Sequence, residues 1–360
     1  MQTHATLQNT THSRFLELDA LRGLAALMVV LFHFTINSNG AILGWEFSYG
    51  VTGVDIFFMI SGFVIFLTIS KVKKWPDFVV SRFARLYPAF WCCMFLTTIV
   101  MVIFEPEMLS FKRVLANLTM FPIYFGVENI DQSYWTLLVE LVFYFWILVL
   151  FVTTRMKNVT GAGLAFVVLI MLFHRFSAHY PGLYDYITRK VELLNHFPLF
   201  FSGILFYLIR TRKNVFQNIV LLVFSFFATC FLHYYGGRTQ HHVSPVGHYI
   251  VLAFYHIVFA LTIFGRMSFL IQLPLLFLGR ISYSLYLIHQ YIGIRVLLVL
   301  TDNLKINIYP ALLITIAFCI SLAYAVNKLV EVPANRFIRN WYKTRLLKNS
   351  QTESTGVAMQ

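Results

Sequence analysis

Arg22 and His33 stand eleven positions apart in the apolar run RFLELDALRGLAALMVVLFHF, residues 14–34. At about 3.6 residues per turn and 1.5 Å per residue, both side chains reach one helical face, roughly 16 Å apart. Asp19, three residues before Arg22, joins that face, and Gly23, Ala25 and Ala26 leave room for a neighbouring helix or a ligand. The arginine is fixed positive and suits anions; the histidine takes and gives protons near neutral pH. Ionisable groups at membrane depth cost about 2.5–3.5 kcal/mol each on insertion scales, so they normally face a cavity or a partner. A plainer role fits the same residues, with Asp19 and Arg22 an interfacial ion pair and His33 a hydrogen-bonded core residue.

Other stretches repeat the pattern of polar groups set in apolar surroundings. In GVTGVDIFFMISGF, Asp55 precedes Ser61 and Gly62, and Gly50, Gly53 and Gly62 read as sites of close helix contact. VVSRFARLYP sets Arg82 and Arg85 three apart, on one helical face, with Pro88 following. Two adjacent guanidinium groups suit bidentate recognition of phosphates, or else ordinary basic anchoring beside Lys71, Lys73 and Lys74. Glu140 in SYWTLLVELVFYFW is either the partner of a buried cation or a proton acceptor. In GRISYSLYLIHQ, Ser282, Tyr286 and His289 recur at spacings of four and three and share a face, which predicts a second buried imidazole near mid-membrane. Glu331 and Arg336 lie in VEVPANRF at the end of the last apolar run. His241, His242 and His248 read as solvated loop histidines, since no cysteine or spaced carboxylate completes a metal shell.

The elements that must position these groups follow from composition. A chain that is 59% hydrophobic and 12% charged is not a soluble globular protein. Recurrent apolar runs of spanning length predict an all-α polytopic transmembrane bundle of about ten spans. They fall near 17–37, 51–70, 86–104, 133–152, 159–174, 193–209, 215–234, 248–265, 280–300 and 308–330. Most of the 28 lysines and arginines then lie on the side of the N-terminus, which predicts both termini inside. Residues 105–132 open with Glu105 and Glu107 and hold an apolar stretch too short to span, so a re-entrant or interfacial helix is expected. The transmembrane domain is expected over 1–340, followed by a disordered cytoplasmic tail at 341–360. The polar start lacks the pattern of a cleaved signal, so the first span is expected to act as an anchor. A net charge of +13 points to membrane lipids with anionic headgroups or to an anionic substrate, and not to nucleic acid, because no soluble basic domain carries it. The four cysteines, all in apolar runs, make neither a disulfide framework nor a metal pattern.

Six segments, LDALRGLAALMVVLFHF, GVDIFFMISGF, SRFARLYP, SYWTLLVELVFY, GRISYSLYLIH and VEVPANRF, resemble in this order those of the membrane-bound acyltransferase family 3. Bacterial members of that family O-acetylate surface polysaccharides, lipopolysaccharide O-antigen, Nod factors and some macrolides. Arg22 and His33 match its arginine–ten residues–histidine motif, and Arg82 and Arg85 match its paired arginines. Ala20 stands where many members have glycine, and the hydrolase-like extracytoplasmic domain of some members has no counterpart in these residues, which leaves the acceptor undefined.

The resemblance implies an O-acyltransferase of the bacterial inner membrane. Its donor substrate would be an acyl-CoA, by family habit acetyl-CoA, and its acceptor a carbohydrate, with no permanently bound cofactor and no metal. Arg22, Arg82 and Arg85 would then bind the anionic end of the donor. His33 would be the catalytic base, with Glu140 or Asp55 orienting its imidazole and Asp19 holding Arg22 as a structural ion pair. Ser61, Tyr286 and His289 would face the substrates. Direct transfer and a covalent acetyl-histidine are both open. A transporter or flippase is the competing reading, and the lack of a visible inverted repeat counts against it.

Overall fold

The computed structural model describes residues 15–153 and 155–357, which are helical with no strand among them. The long helices are α1 (Leu16–Thr35), α2 (Gly53–Ile69), α3 (Trp75–Phe104), α4 (Trp135–Val152), α5 (Val159–Arg175) and α6 (Leu193–Arg210). Then come α7 (Val215–Leu232), α8 (Pro245–Ile263), α9 (Leu273–Ile288), the shorter α10 (Tyr291–Leu298), α11 (Ile308–Val326) and α12 (Val332–Val357). Nine stretches among the described residues are long and apolar enough to cross a membrane, and a tenth is α9 with α10, bent by 75° at their junction. The chain is a multi-pass helical membrane protein.

Two boundaries differ from the sequence expectation. The third span begins at Trp75 rather than near residue 86, so Arg82 and Arg85 sit inside the helix. The ninth run is two helices rather than one, and His289 stands at the break. The last helix, α12, runs on past residue 341 to Val357. Propagating a helix already nucleated in the bundle adds one hydrogen bond per residue, and RNWYKTRLLKNSQ contains many good helix formers. Residues 358–360 lie outside the described residues. Between α3 and α4, a short helix, Phe111–Asn117, is too short to span, as expected. Arg113 holds this segment, donating to the carbonyls of Met108 at 2.6 Å and Asn129 at 2.5 Å.

Glycine lets several helix pairs approach to backbone contact, two of them very closely. A Cβ on Gly279 of α9 would fall 2.0 Å from the carbonyl oxygen of Asp19 on α1, and one on Gly23 would fall 2.7 Å from the backbone nitrogen of Gly279. In the same way Gly62 of α2 faces the Phe200 carbonyl of α6 at 2.0 Å, and Gly203 faces that of Met59 at 2.1 Å. Lipid is as apolar as leucine, so close packing of this kind is what holds such pairs together. The first lock brings α1 and α9, the helices of His33 and His289, into backbone contact.

A break inside a bilayer strands backbone groups that water cannot satisfy. The entrance to α4 satisfies them here. Ser133 and Tyr134 donate their hydroxyls to the carbonyls of Tyr286 and Leu287, at 3.4 and 3.2 Å. The Tyr291 N–H donates to Asp131 at 2.9 Å, and Asp131 also accepts the Ser133 N–H and hydroxyl at 2.8 and 2.7 Å. Asp131 is fully buried. It has a structural task, which is to end α9 where His289 is needed.

Candidate functional site

Two polar pockets occupy opposite ends of the bundle. The first, the arginine pocket, is lined by Arg22, Arg82, Arg85, Ser61, Glu140 and Tyr144, with Ser282 and Tyr286 above them. Arg22 makes no hydrogen bond or ion pair among the described residues, although Asp19, Arg85, Glu140 and Glu331 act on its charge. Arg82 donates through Nη2 to the Ser81 hydroxyl at 3.3 Å, lies 5.9 Å from the ring centres of Phe78 and Tyr144, and keeps its buried Nε unpartnered. Arg85 is committed: it donates to Glu331 at 2.8 Å, and that carboxylate also accepts Ser284 at 2.8 Å and Asn327 at 2.9 Å. Arg82 and Arg85 therefore do not form an equivalent pair, and the donors with no protein acceptor belong to Arg22 and Arg82.

Glu140 belongs to this pocket too. It accepts the hydroxyls of Ser61 and Tyr144, each at 2.5 Å. Tyr144 stands one turn after Glu140 on the same face, so helical spacing alone marks it as a partner of that carboxylate. The Ser282 hydroxyl turns back to its own helix, donating to the Gly279 carbonyl at 2.9 Å.

The second, the histidine pocket, is lined by His33, Asp55, Trp135, His196, Arg238 and His242, among others. His33 Nδ1 lies 2.9 Å from the Val29 carbonyl and 3.2 Å from His289 Nε2, and His289 Nδ1 lies 2.8 Å from the Tyr286 carbonyl. His289 is fully buried at the α9–α10 break, beside His33 near the end of α1. The expected orienting role of Glu140 or Asp55 is not what the structure has, because both carboxylates are taken up elsewhere. Asp55 lies 3.0 Å from His248 Nε2, and His248 in turn lies 2.9 Å from His233. His248, expected to be solvated, is thus buried, since a carboxylate at the start of α2 needs a polar partner there. No group of metal-ligating side chains is assembled among the described residues.

Arg238, from the loop between α7 and α8, places its guanidinium 4.8 Å from the Trp135 ring centre. No sequence signal marks it, because an irregular loop has no period. The two pockets share only Val54 and Tyr286 among their lining residues. Tyr286 donates to the Ser133 carbonyl at 3.2 Å and accepts the Thr136 hydroxyl at 3.0 Å, which holds its ring between them.

An arginine-lined pocket and a histidine-lined pocket stand back to back on helices of membrane-spanning length, the arrangement of a multi-pass membrane protein with two polar sites. Residues 15–326 match the family described as Acyltransferase domain, and the chain belongs to it. The peptidoglycan O-acetyltransferase OatA of Listeria monocytogenes is 26% identical over 91% of this chain and 57% of its own length. The O-acetyl transferase of Shigella phage Sf6 is 25% identical over 87% of this chain and 94% of its own. The O-acetyltransferase OatA of Staphylococcus aureus is 27% identical over 76% and 49% respectively. The chain spans about half the length of the two OatA proteins and nearly all of the phage protein. No solved structure matches it.

Proposed function

We propose that this protein is an O-acetyltransferase of the bacterial inner membrane, with both termini in the cytoplasm. It moves an acetyl group from cytosolic acetyl-CoA to a hydroxyl of a surface carbohydrate. The observation that carries the reading is that one helix, α1, delivers an arginine with no protein acceptor to one pocket and an imidazole to the other. Arg22 and Arg82 hold the phosphates of the donor, with Arg85 and Glu331 as the fixed wall beside them. The thin pantetheine arm then reaches past Tyr286 with its thioester. His33 takes the proton of the acceptor hydroxyl, and the oxygen attacks the thioester carbon. The carbon–sulfur bond breaks, and the CoA sulfur leaves with the proton that His33 returns. Three O-acetyltransferases among the relatives support the class of reaction. The carbohydrate acceptor rests on the glycan named for one of them.

The test is transfer of labelled acetyl from acetyl-CoA in membranes holding the parent protein or His33→Gln. Label appearing in a glycan with the parent alone supports the enzyme. Uptake or export of a solute without any labelled product would return the chain to the transporter reading.

A further inference from the structure

We propose that His289 is a positioning residue that fixes His33 in the tautomer whose Nε2 is the free base. The proposal rests on the reading of His33 as the proton acceptor, and its chemistry follows from four atoms. His289 Nδ1 faces the carbonyl oxygen of Tyr286 at 2.8 Å, and a carbonyl has no proton to give, so this nitrogen carries the hydrogen. His33 Nδ1 faces the Val29 carbonyl at 2.9 Å and must carry one for the same reason. The nitrogen left facing it, His289 Nε2 at 3.2 Å, is therefore the lone-pair acceptor of a neutral ring. Any other arrangement sets two acceptors, or two donors, against each other inside an apolar bundle. The hydrogen of His33 is thus confined to Nδ1, and its Nε2 lone pair faces the pocket.

This places His289 where a carboxylate stands in a serine-protease triad, with a neutral ring doing the work. When His33 Nε2 takes the acceptor's proton, the imidazolium donates its Nδ1–H to His289 Nε2 and to Val29. Both contacts strengthen as the charge forms, which favours the transition state over the ground state. When the sulfur leaves, Nε2 gives the proton up and the pair returns to its starting state, so no other group changes protonation. The backbone makes the arrangement rigid. The Gly23–Gly279 lock sets the distance between the two helices, and Asp131 and Ser133 hold the break at which His289 stands.

The experiment uses the full chain in membranes from producing cells, which hold the endogenous acceptor, with labelled acetyl-CoA as the probe. His289→Leu removes both polar atoms at similar size, whereas His289→Gln offers an amide donor and a carbonyl acceptor in their place. We expect His289→Leu to lower the maximal transfer rate roughly 10- to 100-fold, the usual loss for an orienting partner, with the half-saturating acetyl-CoA concentration unchanged. His289→Gln should recover most of that loss. In the parent protein carrying ¹⁵N-histidine, NMR should find His33 protonated at Nδ1 alone, its signals assigned by their loss in His33→Gln. Parent-like transfer by His289→Leu, no advantage of Gln over Leu, or a proton on His33 Nε2 would each overturn the proposal. If His33→Gln itself transfers at the parent rate, the base is misassigned, and that failure is distinct from failure of the pairing. Should His289→Leu not accumulate, the Gln variant and the parent NMR still decide the matter.

Discussion

The arginine pocket and the histidine pocket are made from the same helices and differ in character. α1 gives Arg22 to one and His33 to the other, and α2 gives Ser61 to one and Asp55 to the other. The arginine pocket keeps formal charges, two of them with hydrogen-bond donors unspent, which suits a ligand that brings its own negative charge. The histidine pocket sets its imidazoles beside other buried groups, His33 beside His289 and Asp55 beside His248, with Arg238 as the cation in its lining. The contrast teaches that two pockets of different character are set by residue spacing along single helices, not by two domains.

Four substitutions sharpen or break this contrast. The largest loss is expected from Gly279→Leu, which forces α1 and α9 apart and so disorders both pockets at once. A melting curve in detergent and a transfer assay should both collapse, and a stable, active variant would show that the glycine lock positions neither pocket. Next is His33→Gln, which should lower transfer by about 10²–10⁴-fold, the usual worth of a general base, while acyl-CoA still binds. Loss of acyl-CoA binding in that variant would mean the pockets are not separable. Arg22→Ala should act on the other side only. Losing one charge-assisted contact, about 1.5–3 kcal/mol, raises the half-saturating acetyl-CoA concentration roughly 10- to 100-fold with the maximal rate nearly intact. The smallest effect belongs to Arg85→Lys, which keeps its ion pair with Glu331 and should change donor saturation by only a few-fold. If Arg85→Lys proves as damaging as Arg22→Ala, then Arg85 leaves Glu331 to grip the donor.

What the sequence made legible was whatever has a helical period. The common face of Arg22 and His33, the depth of Glu140 and the spanning lengths all follow from 3.6 residues per turn. Contacts between helices do not. Nothing in the spacing of YSLYLIHQ says that its histidine meets His33, because that depends on the α1–α9 crossing set by Gly23 and Gly279. The break after Ile288 was hidden for a related reason. An apolar run reads as one span unless proline or glycine interrupts it, whereas here the interruption is stabilised from α4 by Asp131 and Ser133. The partner of Arg85 was equally out of reach, since Glu331 lies 246 residues away.

The partition at Tyr286 and Val54 has an electrical meaning. Where polar pockets open from both faces, the bilayer potential drops mainly across the layer between them, and a unit charge moved through it exchanges about 2.3 kcal/mol per 100 mV. In the proposed reaction the phosphates stay on the arginine side. The acceptor's proton travels inward to the CoA sulfur as the acetyl group travels outward, so each side keeps the charge with which it began. Transfer across the membrane would then be electroneutral. In proteoliposomes clamped by a potassium gradient and valinomycin, its rate should not respond to the imposed voltage. A steep response would mean that the sulfur draws its proton from the cytosol and the hydroxyl proton is released outside, so that His33 does not hand it back.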